Sequence, residues 1–127
     1  MSALRTSSDE LLAFSYDRLV DFALERSYEL YIAQSDFDGP LGFVLMLVDL
    51  PDEVTALPQG FIAYMAVEPD ARRRGIAASL LAAAEGAARA RGLPFMALMV
   101  TEDNVAAREL YAQAGFSTER RLLCKAL

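Results

Sequence analysis

A mixed α/β domain, with an α+β arrangement in its first half, is predicted from three features of the sequence. From residue 61 onward, apolar runs and alanine-rich segments succeed one another as strand, helix, strand, helix, strand. Before that point a helical pattern leads into two strand-like runs joined by a short turn. The 127 residues are 54% hydrophobic and 24% charged, a length and composition that suit one domain, residues 1–127, with a buried core.

Each element has its own local signal. Ser7 and Glu10 have the spacing of a capping box and open a helix from about residue 8. Leu12, Tyr16, Leu19 and Ala23 then fall on one helical face. Residues 27–34 alternate and predict a strand, and Asp38-Gly39-Pro40 predicts a turn. Residues 41–48 are nearly all apolar, as in a strand buried on both faces. The segment 49–60, with two prolines and three acids, is a loop. Residues 61–67 form a third strand that Pro69 stops.

A helix follows from Gly75 to about Arg91, with Ile76, Leu80, Leu81 and Ala84 as its buried stripe and Gly92 and Pro94 at its end. Residues 95–100 form a wholly apolar fourth strand, and a helix runs from Asn104 to Ala114, stopping at Gly115. Two apolar strands joined by a crossover helix make a βαβ unit with parallel strands. The tail from Phe116 predicts one strand or a tight hairpin.

Composition narrows the chemistry. No histidine occurs, which removes Ser-His-Asp and Cys-His catalysis and most zinc sites, and no metal is expected. Cys124 is the sole cysteine, so no internal disulfide forms; this fits a reducing, cytoplasmic setting. Cys124 itself is expected to be a buried tail residue, not a nucleophile, for want of an activating base. No signal peptide pattern opens the sequence, and the longest apolar run is too short to span a bilayer. The net charge of −6 disfavours nucleic acid and anionic membranes as partners and mildly favours amines.

The sharpest site signal is residues 66–81, AVEPDARRRGIAASLL. A strand ends, the chain turns, three arginines lead into Gly75, and a helix begins. The first amides of a helix have no internal partner and carry the positive end of its dipole, so an anion can sit there. Gly75 permits close approach, Ala77 and Ala78 leave the first turn unobstructed, and Arg72, Arg73 and Arg74 add charge that suits a pyrophosphate. The plain alternative is a βα turn with a solvated basic cap. The segment lacks the Gly-Lys-Ser/Thr ending of a P-loop and the three glycines of a dinucleotide fingerprint.

Arg72-x-x-Gly75-x-Ala77 resembles the Gln/Arg-x-x-Gly-x-Gly/Ala signature of the GCN5-related N-acetyltransferase (GNAT) superfamily. Residues 104–111, NVAARELY, closing with Ala114-Gly115-Phe116, are similar to that family's second block. Together the two cover roughly residues 60–118. The resemblance implies an N-acetyltransferase using acetyl-CoA as cosubstrate, which would lie between the strands 61–67 and 95–100. It implies that backbone groups of Met65, Ala66 and Val67 pair with the pantetheine arm and that the amides of residues 73–78, Ile76 among them, hold the pyrophosphate. It implies that Asn104 touches the pantetheine and that Tyr111 stands near the sulfur as general acid. Asn104 is also an ideal N-cap, and Tyr111 could be a core aromatic on the face of Ala107 and Ala114.

The match thins at the general base. A lysine amine has a pKa of about 10.4 and an α-amine about 8, so freeing the base at neutral pH costs about 4–5 and about 1–1.5 kcal/mol respectively. Family members carry a glutamate at the position of Phe61 or of Met99, and both are apolar here. The base is absent, water, or drawn from Glu102, Asp103 or the acidic loop. Relative to the family pattern both ends are short, which leaves strand edges and the acceptor site under-covered, and a homodimer is expected. The acceptor is expected to be a primary amine of a small molecule or a peptide N-terminus. A non-catalytic acyl-CoA-binding or regulatory module on the same fold is the alternative.

Overall fold

Among the described residues four strands form one sheet, side by side in the order in which they follow along the chain. The computed structural model describes residues 18, 21, 24–37, 39–72 and 75–127. Within them β1 is Tyr28–Ser35, β2 is Gly39–Leu47, β3 is Gly60–Val67 and β4 is Met96–Leu98. The first three strands are antiparallel neighbours. Helix α1, Ile76–Ala90, carries the chain from β3 to the parallel β4, and helix α2, Val105–Gln113, follows. The mixed sheet and the βαβ unit are therefore as the apolar periodicity predicts.

The core forms on both faces of β2, whose Val44–Leu47 are buried. On one face Val44, Met46 and Ile62 meet Leu80, Leu81, Ala84 and Ala88 of α1. These four helical positions share one stripe, and the alanines let the helix lie close to the sheet. Burying each leucine contributes about 1.5–3 kcal/mol. Ile76, expected on the stripe, is half-buried at its first turn. On the other face Leu45 and Leu47 pack with Phe43, Leu50, Phe61, Ala63 and Tyr64.

Gly42 is required by close approach. A Cβ there would stand 2.7 Å from the Ala66 carbonyl oxygen and 3.2 Å from Val67 Cα, both backbone atoms of β3. Gly42→Ala is therefore expected to push β3 away from β2 and to destabilise the fold by about 1–3 kcal/mol. Chemical denaturation would measure the loss, and an unchanged midpoint would refute it.

Three expectations change or pass out of view. Of the first helix, residues 18, 21 and 24 are helical; Ser7, Glu10, Leu12, Tyr16, Leu19 and Ala23 lie outside the described residues. The fourth strand has three residues, not six, because its last part diverges from β3 and loses its ladder. The tail forms no strand: residues 116–127 join no ladder, and Cys124 is exposed, not buried.

The physical reason for the tail's course is charge. Arg120 donates two hydrogen bonds to the Asp52 carboxylate, at 2.7 and 3.3 Å, and fastens the tail to the β2–β3 loop. The Arg120 guanidinium, then the hydroxyl and amide of Thr55, hold the Asp52 carboxyl well below the usual carboxylate range, and Asp52 raises Arg120 in turn. A lowered carboxylate stabilises above its unfolded pKa and loses that contribution only as pH falls through the lowered value. The fastening therefore persists into strong acid.

Candidate functional site

β3 and β4 share only three paired positions, Gly60 with Met96, Phe61 with Ala97 and Ile62 with Leu98. The strands part there for a local reason. Tyr64 faces Leu45 while Ile62 faces Met46, so Ala63 is an extra residue in β3. Such a bulge bends its strand. Beyond it β3 stays paired with β2 through Val67 but has no ladder on the β4 side.

The hydrogen-bond pattern tells which backbone groups face this opening. The Glu68 amide donates to the Leu41 carbonyl at 2.7 Å, across to β2. Groups alternate along a strand, so those of Ala66 and Tyr64 also face β2, and those of Met65 and Val67 face the opening. Arg72 Nε donates to the Val67 carbonyl at 3.4 Å, from the loop that follows.

That loop makes one 3₁₀ turn at Pro69–Ala71, buries Ala71 and leads to Gly75. Gly75 is the N-cap of α1 with φ 75° and ψ 10°, a left-handed conformation that glycine adopts at little cost. Gly75 brings no side chain to cap the helix, and among the described residues no acceptor meets the first-turn amides of Ile76, Ala77 and Ala78. A Cβ on Gly75 would meet nothing within 4 Å. An uncapped, open helix N-terminus at the end of a half-paired strand is a fit place for an anion. Arg72 is exposed beside it. Arg73 and Arg74 lie outside the described residues.

Asn104 is the N-cap of α2: its Oδ1 accepts from the Ala107 amide at 3.2 Å. The cap uses the oxygen and leaves Nδ2 as the donor. Tyr111, two turns on, is half-buried and packs against the α1-face core, which Met65, Val67 and Ile76 also border. Its ring meets Phe116 edge to face, with centroids 6.0 Å apart and planes at 67°. Burial pushes the phenol pKa up, so the hydroxyl keeps its proton at neutral pH.

No acid stands at the two positions noted above: Phe61 is half-buried on the sheet face away from α1, and Met99 is 80% exposed. The other candidates are placed as follows. Asp49 pairs with Arg26 at 3.2 Å, and Asp52 with Arg120. Glu102 sits 4.0 Å from Arg108, with Asp103 exposed beside it. Two site features escape sequence reasoning, the Ala63 bulge and the Arg72–Val67 bond. A register shift of one residue leaves no mark in an apolar run.

The sequence pattern of the acetyltransferase (GNAT) family matches residues 3–116. The mycothiol acetyltransferase of Beutenbergia cavernae is 35% identical over 88 residues, which are 69% of this chain and 28% of that protein. The chain spans less than half the length of the curated relatives it matches. Among solved structures, one described as an acetyl transferase from Pyrococcus furiosus superposes with a TM-score of 0.84 at 25% identity, covering 97% of this chain and 82% of that one. An aminoglycoside N-acetyltransferase, AAC(6')-Iy, in complex with CoA, superposes with a TM-score of 0.71 at 22% identity, covering 98% and 96%. At that identity the likeness is one of fold.

Proposed function

The chain belongs to the acetyltransferase (GNAT) family, and from that premise we propose that it transfers an acetyl group from acetyl-CoA to a primary amine of a small molecule or a peptide N-terminus. The observation that carries this reading is the opening between β3 and β4, which leads to the uncapped N-terminus of α1. An extended thioester cosubstrate needs both parts: an unpaired strand edge for its amides and a positive helix end for its phosphates.

The residues take these roles. Met65 and Val67 turn their backbone groups outward and pair with the pantetheine, with Ala66 between them spent on β2. Arg72, Arg73 and Arg74 supply positive charge, and the amides of residues 73–78 hold the pyrophosphate. Asn104 donates through Nδ2 while capping α2. Tyr111 donates toward the leaving sulfur. Bound acetyl-CoA supplies the activated acyl group; the chain orients it and stabilises the charge that develops on the thioester oxygen and sulfur. A cytoplasmic setting accords with the single cysteine.

No carboxylate stands at Phe61 or Met99 to take the amine's proton, so the acceptor is one that is substantially neutral already. That favours α-amines and amines of depressed pKa, and the match to a mycothiol acetyltransferase supports a small molecule. CoA release measured at neutral pH across amino acids, aminoglycosides, polyamines and peptides is expected to favour such amines over a lysine side chain by roughly 100-fold, the ratio of their neutral fractions. Equal use of an ordinary lysine overturns this. The missing carboxylates also favour a second reading, a CoA-binding module without turnover; CoA binding with no release against any amine would establish it.

A further inference from the structure

The sheet face turned away from α1 carries a cleft of about 420 Å³, within the roughly 300–1,000 Å³ of small-molecule sites. Its floor is a row of facing residues. Ile32 of β1 stands opposite Phe43 of β2, and Phe43 stands opposite Ala66 of β3. Leu30 and Leu45 make the next pair on this face. Directly opposed residues of neighbouring strands share a face, and Phe43 and Leu45 pack on the one away from α1. Though apolar, Leu30 is 44% and Ile32 52% exposed. Concave, contiguous and exposed apolar surface is where ligands bind. Two features give the cleft a direction. The row tapers from the large side chains of Ile32 and Phe43 to one exposed methyl group at Ala66. Ala66 lies between Met65 and Val67, whose backbone groups face the opening between β3 and β4. That end also carries Glu68, the only charged side chain among the described residues that line the cleft. The bond from its amide to the Leu41 carbonyl, 2.7 Å, pins this rim to β2.

We propose that this cleft seats the acceptor and selects primary α-amines that bear an apolar side chain, aliphatic or aromatic. The nitrogen lies toward Ala66 and Glu68, and the side chain lies over Ile32, Phe43 and Leu45. The assignment rests on the acetyl-transfer reading above and names its acceptor. Neighbouring strands are about 4.8 Å apart, so a nitrogen over Ala66 reaches a thioester beside β3 without crossing a second strand. It bonds to the acetyl carbon, the carbon–sulfur bond breaks, and the proton of the neutral amine ends on the sulfur, leaving an amide and the CoA thiol. Charge agrees with this orientation. Glu68 is exposed at the rim and draws ammonium groups to that end from solvent. The same carboxylate repels a carboxylate next to the reacting amine, so amides and peptide N-termini suit the cleft better than free amino acids.

Glycinamide, leucinamide and phenylalaninamide offer α-amines of similar basicity and differ in side chain. CoA release is expected to give a kcat/KM at least roughly 30-fold higher for the last two than for glycinamide, since each buried CH₂ is worth about fourfold. Ile32→Asn is expected to cut that preference by at least about fivefold, with CoA affinity by calorimetry unchanged. Should that variant fold poorly, the unaltered chain decides the matter. Phenylalaninamide added to the CoA-bound chain is expected to shift the methyl resonances of Leu30, Ile32 and Leu45 saturably. This readout needs no turnover, so it tests the cleft separately from the transfer reading. Equal use of the three amides, a preference that Ile32→Asn leaves whole, or methyl shifts absent from these three residues would each overturn the assignment. Cleft methyl signals that move with protein concentration and not with the amide would give the cleft to a second copy of the chain, and overturn it as well.

Discussion

Gly75→Glu is expected to weaken CoA binding by roughly 100-fold, or about 2.7 kcal/mol, without unfolding the protein. The steric cost of the change is small, since a Cβ at this position meets nothing within 4 Å. The backbone cost is that of placing a non-glycine residue at φ 75°, about 1–2 kcal/mol. Against this, a carboxylate at a helix N-terminus interacts favourably with the dipole, by about 0.3–1 kcal/mol. The dipole gain offsets part of the backbone cost and leaves about 1 kcal/mol, so the melting temperature should fall by only a few degrees and the protein should stay folded. The same carboxylate stands where the pyrophosphate would bind and competes for the amides of Ile76, Ala77 and Ala78. Gly75→Asn is the control, because asparagine tolerates the left-handed region and brings no charge. Calorimetry should find Asn close to the parent and Glu far below it. Equal CoA affinity in all three proteins, each folded, would mean that the α1 N-terminus holds no phosphate.

The parts of this fold that were readable in the sequence are those set by local chemistry. The apolar run at β2, the stripe Leu80, Leu81, Ala84 on α1, the N-cap Asn104 and the stop at Gly115 each follow from side chains within one or two turns of one another. What was unreadable depends on partners distant along the chain. Residues 95–100 are apolar enough for six residues of strand, yet only Met96–Leu98 pair, because a bulge at Ala63, more than thirty residues earlier, turns β3 aside. The tail has strand-like apolar residues in Leu122, Leu123 and Cys124, yet Arg120 finds Asp52, 68 positions away, and the tail follows it. Cys124, expected as a buried tail residue, is exposed with the rest of that tail. The candidate site shows the same division. Gly75 and its helix are visible locally, but that Met65 and Val67 face the opening while Ala66 faces β2 is fixed by pairing to Leu41 and Phe43.

Tyr111→Phe separates the two roles open to that residue. As a core aromatic, Tyr111 packs through its ring, against Phe116 at 6.0 Å and the cluster around Leu80 and Leu81. As a proton donor, it acts through its hydroxyl. Phenylalanine keeps the first and deletes the second. Burial raises the phenol pKa above its usual value near 10. A raised phenol stabilises fully below its unfolded pKa and loses that contribution only as pH rises through the folded value, so at neutral pH the substitution introduces no titration of stability. The same shift bears on mechanism. A thiol has a reference pKa near 8.5, so moving a proton from phenol to thiolate is already uphill by about 2 kcal/mol in water, and burial of the phenol alone makes it more so. In the proposed role Tyr111 would donate a hydrogen bond as charge builds on the sulfur and transfer its proton late, when exclusion of water has raised the thiolate's basicity as well. Assistance of this kind is worth roughly 10²–10⁴-fold at most, and a hydrogen bond without full transfer falls at the lower end. Tyr111→Phe is accordingly expected to lower kcat at least about tenfold with CoA affinity and melting temperature nearly unchanged. A kcat that holds while the protein loses several degrees of stability would make Tyr111 a packing residue and leave the departing thiolate to be protonated by water.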